Sequence, residues 1–163
     1  MELPSAELYI RWLQANILLP MQLSIPPWSY LSTNRSSEVF YTIRRVFKVR
    51  KVLRKLLVKA LEEARVDHLP IARPLWMVNM ELSEFPSITD EYMVGECLIV
   101  APILYESTLS RTVVFPEGVW VPCVGASNRS YTSVGNLSLT VITQSLIDDP
   151  PCFRRVDIAD CSL

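Results

Sequence analysis

Few residues in this 163-residue chain could carry chemistry by themselves. The single histidine, His68, stands beside Asp67 and two residues before Pro70, where a helix is expected to end. That position suits a capping or surface residue better than a general base. Adjacent carboxylates occur at Glu62-Glu63 and Asp148-Asp149. Neighbours on a helix point in different directions, and the second pair precedes Pro150-Pro151, which reads as turn chemistry. No serine lies in a G-x-S-x-G turn, and no glycine-rich phosphate loop is present. The chain therefore shows no complete catalytic set of its own.

The four cysteines, Cys97, Cys123, Cys152 and Cys161, have no C-x-x-C spacing. With one histidine to join them, a zinc site is not expected, and neither a metal nor a cofactor is called for. They can pair in three ways, among which the sequence does not choose. Three glycosylation sequons begin at Asn34, Asn128 and Asn136 and favour a secretory compartment. MELPSAELYI lacks the basic start and apolar core of a signal peptide, so a lumenal location would need a targeting segment upstream.

Composition bounds the class. Half of the residues are hydrophobic and the mean hydropathy is +0.23, which excludes general disorder. Net charge is −1. Four glycines against twelve prolines suit a chain punctuated by rigid turns.

Pro4 to Leu19 reads as a helix capped by Ser5, with Glu7 in its first turn and an apolar face of Leu8, Trp12, Ala15 and Leu19. Pro20 ends it, a short strand is expected over 21–25, and Pro26-Pro27 ends that in turn. A single long helix is expected from Glu38 to Arg65, with an apolar stripe of Phe40, Ile43, Phe47, Leu53, Leu57, Leu61 and Ala64. From Arg44 to Lys59 it carries eight basic residues and no acidic one, half of the chain's basic charge. Such a helix could act as a non-catalytic binding or regulatory module for lipid headgroups, nucleic acid or an acidic partner. The plainer reading is a solvated outer face, with no nucleic-acid partner and no membrane association.

After Pro70 the character becomes β. Strands are expected at Leu98 to Leu104, Arg111 to Phe115, Val119 to Val124 and Leu137 to Ile142, with a tight turn at Pro116-Glu117-Gly118. The most apolar passage, EYMVGECLIVAPI at 91–103, is too short to span a bilayer. Periodicity alone leaves a buried strand and a buried helix segment both open there.

Several blocks in order resemble glycoside hydrolase family 31. These are ELYIRWLQANILLPMQLSIPPW at 7–28, PIARPLW at 70–76, TDEYMVGECLIVAPIL at 89–104 and SRTVVFPEGVW at 110–120, with a weaker likeness in LIDDPPCFRR at 146–155. They are similar to the family's R-P-L, its D-x-x-F/Y-M-x-G-x-x-L-I/L-V-A-P-V/I-L and its R-x-V-x-F/L-P-x-G-x-W. The first block is similar in wording to the myogenesis-regulating glycosidase branch. Most family members have M-R-x-H after the proline, where this chain has Gln22 and Ser24.

The resemblance implies an α/β plus all-β architecture: the C-terminal end of a (β/α)8 barrel over 1–69, followed by an incomplete β-sandwich over 70–163. Pro4–Leu19 would be the seventh barrel helix, 21–25 the eighth strand and the basic helix the eighth helix. EYMVGECLIVAPI would be the helical-turn-to-strand entry of the sandwich, with Leu98, Val100 and Pro102 in the core between sandwich and barrel. Family members are retaining α-glycosidases that use two aspartates about 5 Å apart. No carboxylate here matches either aspartate, so this chain alone is expected to be inactive, a C-terminal portion with its catalytic residues upstream. Its carbohydrate contacts would come from Gln22, Ser24 and Trp28, with an α-galactoside favoured over an α-glucoside. A single barrel strand with open edges would need the other barrel strands to fold.

Overall fold

The computed structural model describes residues 4–19, 38–78, 88–123, 129–134, 137–142 and 152–163. Three helices come first: α1 (Ala6–Asn16), α2 (Glu38–Val52) and α3 (Arg54–Asp67). Eight strands follow: β1 (Ala72–Pro74), β2 (Tyr92–Val94), β3 (Leu98–Val100), β4 (Ser110–Phe115), β5 (Gly118–Pro122), β6 (Tyr131–Ser133), β7 (Leu137–Ile142) and β8 (Cys152–Arg155). Six form one antiparallel sheet in the order β1-β2-β3-β8-β5-β6, and β4 pairs with β7 in a second. The last strand in sequence thus lies in the middle of the large sheet, between β3 and β5.

Each face of the large sheet has its own core. Leu98 and Val100 join the helix side with Tyr9, Leu13 and Val46. Ile99, Phe153 and Trp120 join Phe115 and Val113 on the side of the two-stranded sheet. The strand β3 is therefore buried on both faces, which explains its unbroken apolar run. Pro102 is buried beside it and removes a ladder donor, so the strand stops at Val100 rather than reaching Leu104. Tyr92–Val94 is a strand, not a helical turn, and hairpins onto β3 through Gly95.

The expected Ser5 cap is present: its side chain accepts from the Leu8 amide. The buried face of α1 differs from the expected one. Tyr9, Ile10, Leu13 and Ile17 are buried, whereas Leu8 and Trp12 are exposed. This helix is apolar on two sides, and a spacing of four and three residues fits either. The long basic helix is two helices that meet at Leu53, which leaves helical geometry (φ −83°, ψ 4°). The hydrogen bonds from Leu53 to Val49 and from Leu57 to Leu53 continue through the break, so the joint is a kink. Its buried stripe runs through Ile43, Val46, Val49, Leu53, Leu56 and Ala60, displaced from the expected one, and Leu61 is exposed. His68 caps α3 in the left-handed conformation (φ 57°).

Pro116-Glu117-Gly118 is a corner between sheets: β4 leaves the small sheet and β5 enters the large one. At Gly118 (φ 142°) a Cβ would come within 2.8 Å of Arg155 Nε. That guanidinium lies 5.8 Å from the Trp120 ring centroid and pairs with Asp157 at 2.9 Å. Two disulfides, Cys97–Cys161 and Cys123–Cys152, select one of the three possible pairings. The first ties the C-terminal turn to the β2–β3 loop, and the second joins the ends of neighbouring strands.

The two sheets are also joined by a buried ion pair. Arg111 Nη2 donates to Glu91 Oε1 at 2.6 Å, and the Val114 amide donates to the same carboxylate. Arg111 also reaches Asp90 Oδ1 at 3.1 Å and the Pro102 carbonyl at 2.7 Å. Burial pushes the Glu91 carboxyl up to about 7, with Asp90 adding to the shift and Arg111 and the Val114 amide opposing it.

Two measurements follow from this packing. Gly95 has φ +56°, and a Cβ there would stand 2.8 Å from Glu63 Oε2 and 2.9 Å from Ala60 Cβ. Gly95→Ala should cost about 2 kcal/mol in urea unfolding. An unchanged midpoint would show that α3 moves aside freely. The second concerns pH. The folded-state value of Glu91 lies above the ordinary 4.5, so the folded protein holds this proton more tightly than the unfolded chain. Its contribution is full below about pH 4.5 and is lost as pH rises to about 7, a fall of about 3 kcal/mol. Asp157 and Glu7 are both held low by hydrogen bonds and act only in the more acidic range. Stability measured from pH 5 to 7.5 should fall in the wild type and stay nearly flat in Glu91→Gln. A wild-type profile that rises over that range would contradict this account.

Candidate functional site

Gln22, Ser24 and Trp28, the residues expected to meet a sugar, lie outside the described residues, as do the expected strand at 21–25 and the sequon asparagines Asn34, Asn128 and Asn136. The structure does describe the supports on either side of residues 20–37: the end of α1 and the body of α2.

The chain leaves α1 from a fixed point. Helix ends leave carbonyls without intrahelical partners. Here Arg50 of α2 supplies two of the missing donors, its Nη1 reaching Ile17 O at 2.6 Å and Leu19 O at 2.7 Å. The Tyr92 hydroxyl of β2 donates to Ala15 O. The guanidinium also places positive charge at the negative end of the α1 dipole. Burial draws the Arg50 pKa below its usual value and raises that of Tyr92.

The other end of α1 is held as firmly. Arg11, nearly fully buried, pairs with Glu7 at 2.9 Å and donates to Thr108 O at 2.7 Å. Glu7 accepts from the Ser107 amide at 2.9 Å, and the Ser5 hydroxyl bonds the Glu106 carboxylate. The N-terminal half of the helix is thereby clamped to the β3–β4 loop, and its C-terminal end to α2 and β2.

Sequence reasoning missed these supports. The basic run reads as solvated throughout, yet Arg50 is half-buried. It borders the buried stripe, next to Val49 and four residues after Val46, which was the signal available. Arg44, Arg45, Lys48, Lys51, Arg54 and Lys55 are exposed, as the solvated-face reading expects. Lys59 is half-buried and reaches Glu63 and Asp160, each at 3.6 Å.

Glu91, with a pKa near neutrality, has the value of a general acid or base. Its carboxylate is only 1 % exposed and is engaged by Arg111 and Val114, so it joins sheets rather than facing a substrate. Among the described residues no group of three or more Cys, His, Asp or Glu could hold a metal ion.

Residues 68–156 match the model of the glycosyl hydrolase family 31 C-terminal domain. The chain is 34 % identical over 119 residues to the myogenesis-regulating glycosidase of Mus musculus, an alignment covering 72 % of this chain and 16 % of that protein. It is 29 % identical over 162 residues to neutral alpha-glucosidase C of Mus musculus, covering 93 % of this chain and 17 % of the relative. The chain thus spans about a sixth of the length of these relatives. Among solved structures, a GH31 dextranase of Flavobacterium johnsoniae complexed with isomaltotriose superposes with a TM-score of 0.75 at 26 % identity, over 92 % of this chain and 18 % of the enzyme. The clamped helix, the central apolar strand and the Pro-x-Gly corner are thus parts of a known architecture: this chain belongs to glycosyl hydrolase family 31.

Proposed function

We propose that this chain is the C-terminal, non-catalytic portion of a retaining α-glycosidase that hydrolyses O-glycosyl bonds, with an α-galactoside preferred to an α-glucoside. The family match over 68–156 carries the reading. In it, α1 is the last helix before the eighth barrel strand, residues 21–25 are that strand, and Gln22, Ser24 and Trp28 contribute hydrogen bonds and ring stacking to a glycone pocket at its C-terminal end. Gln22 and Ser24, in place of the Arg and His usual in the family, support a sugar other than glucose. The two aspartates that would cleave the bond belong to earlier strands of the barrel. The strands after Pro70 buttress the barrel from behind.

The reading places the protein in the secretory pathway. Two disulfides support this, because such bonds form and persist in oxidising compartments. The three sequons agree with it. Among the described residues no helix is long and apolar enough to cross a membrane.

Purified chain should release no nitrophenol from nitrophenyl α-galactoside or α-glucoside above the uncatalysed rate. Turnover that disappears in Gln22→Ala or Ser24→Ala would overturn the non-catalytic assignment. Expressed behind a secretion signal in a eukaryotic host, the chain should migrate more slowly on gels until treated with peptide N-glycosidase. The shift should shrink stepwise as Asn34, Asn128 and Asn136 are changed to Gln. Secreted chain with no glycosidase-sensitive shift would count against the lumenal placement.

A further inference from the structure

The two disulfides sit in different kinds of place. Cys123–Cys152 joins the ends of paired strands: the Cys123 amide donates to Cys152 O at 2.9 Å, and Pro122 stands opposite Phe153 in the register of β5 and β8. Reaching its sulfurs means parting two strands of the large sheet. Cys97–Cys161 instead ties the β2–β3 loop to a single 3₁₀ turn, Ala159–Cys161. Cys97 is 3 % and Cys161 0 % exposed, so neither sulfur is open to attack while that turn is seated. Besides the bond itself, the turn is held by Lys59 Nζ on Asp160 O at 3.3 Å and Arg154 Nη1 on Cys161 O at 3.0 Å, with Ile158 packed against the helix-side core. Ala159, Asp160 and Ser162 are exposed, so the turn opens without parting any strand.

A cation stands at one of the two sulfurs. Lys59 Nζ lies 4.0 Å from Cys97 Sγ. The ammonium also faces Glu63 of α3 and Asp160 of the turn, each at 3.6 Å. Arg73 of β1 stands 3.9 Å from Glu63, Arg154 of β8 engages the Cys161 carbonyl, and Glu96, next to Cys97, is exposed. Of these charged groups, it is the ammonium that reaches sulfur. A positive charge there favours the thiolate, and in thiol–disulfide exchange the sulfur that forms the more stable thiolate leaves faster.

From this asymmetry we propose that Cys97–Cys161 is a thiol–disulfide exchange site for a dithiol reductant, opened by release of the turn, with Cys97 as the leaving sulfur beside Lys59. One thiolate of the dithiol attacks Cys161 Sγ. The bond to Cys97 breaks and its electron pair leaves on Cys97 Sγ, next to the ammonium. The reductant's second sulfur, as thiolate, then attacks its own first sulfur in the mixed disulfide and displaces Cys161. Two electrons pass to the protein, the dithiol closes to an intramolecular disulfide, and its two protons end on Cys97 and Cys161. The turn is then released from the β2–β3 loop while Cys123–Cys152 stays closed inside the sheet. The proposal does not depend on the glycosidase reading.

The test is timed reduction of the folded chain by dithiothreitol, quenched with N-ethylmaleimide and mapped by peptide mass spectrometry. Cys97 and Cys161 should be labelled at least about tenfold faster than Cys123 and Cys152, whose rate in the same sample is the internal reference for global unfolding. Lys59→Gln removes both the charge at the leaving sulfur and a bond that seats the turn, and these two losses act in opposite directions. Reduction of Cys97–Cys161 about fivefold slower than in the wild type is expected, relative to the reference. A lysine that only held the turn would give faster reduction instead. Lys59→Arg should return the rate to within about twofold of the wild type, and Asp160→Asn, which keeps the cation and loosens the turn, should raise it. Labelling of Cys123 and Cys152 first or at the same rate would overturn the proposal. So would reduction in Lys59→Gln as fast as in the wild type or faster, or a Cys97–Cys161 bond that stays closed until the protein unfolds.

Discussion

The constraint on which the rest of this structure depends is that β3 has no wet face. Leu98 and Val100 point to one side and Ile99 to the other, and each is fully buried. A sheet built around such a strand must be covered twice. Helices cover one face and a two-stranded sheet the other, and the two cores stay distinct because alternate residues of one strand feed each. Full burial of a large aliphatic side chain contributes ~1.5–3 kcal/mol, and β3 has three in a row.

Apolar packing is non-directional and does not by itself set the exit angle of a helix. The polar clamps on α1 do that. Arg11, in mid-helix, takes the Thr108 carbonyl about a hundred residues away in sequence, and Arg50 of α2 takes the Ile17 and Leu19 carbonyls at the C-terminal end. The buried Arg11 and the half-buried Arg50 are each met by two oxygens, which offsets their desolvation. The result is a helix whose last carbonyls are fixed in space, and residues 20–28 begin from there.

Much of the architecture was legible in the residues because it rests on local rules. Ser5 caps its helix, His68 ends another, and β7 runs from Leu137 to Ile142 as expected. The failures came where the deciding partner is distant. The sequence of α1 has two apolar sides, and only the elements packed on it decide which is buried. No proline or glycine announces the kink at Leu53, a residue drawn wholly into the core. The turn expected at Pro116-Glu117-Gly118 joins two strands that do not pair with each other, because strand pairing is long-range and β4 finds β7. A strand in the segment after Gly125 was not foreseen either, although Tyr131–Ser133 pairs with β5. The cysteine pairing needed the fold outright. The candidate sugar contacts, Gln22, Ser24 and Trp28, rest on resemblance alone.

The central place of β8 has a consequence for how the protein is made. Until residues 152–155 are available, β1-β2-β3 and β5-β6 are two separate ribbons, each with an unpaired edge. Synthesis runs from the N-terminus, so those edges exist on every nascent chain until residues 152–155 have left the ribosome. The sheet closes only by insertion of β8, and the Cys97–Cys161 bond can form only once Cys161 has followed. A chain that stopped before Cys152 would lack the strand that makes one sheet out of two, and would expose to chaperones the apolar edge of β3 that β8 covers.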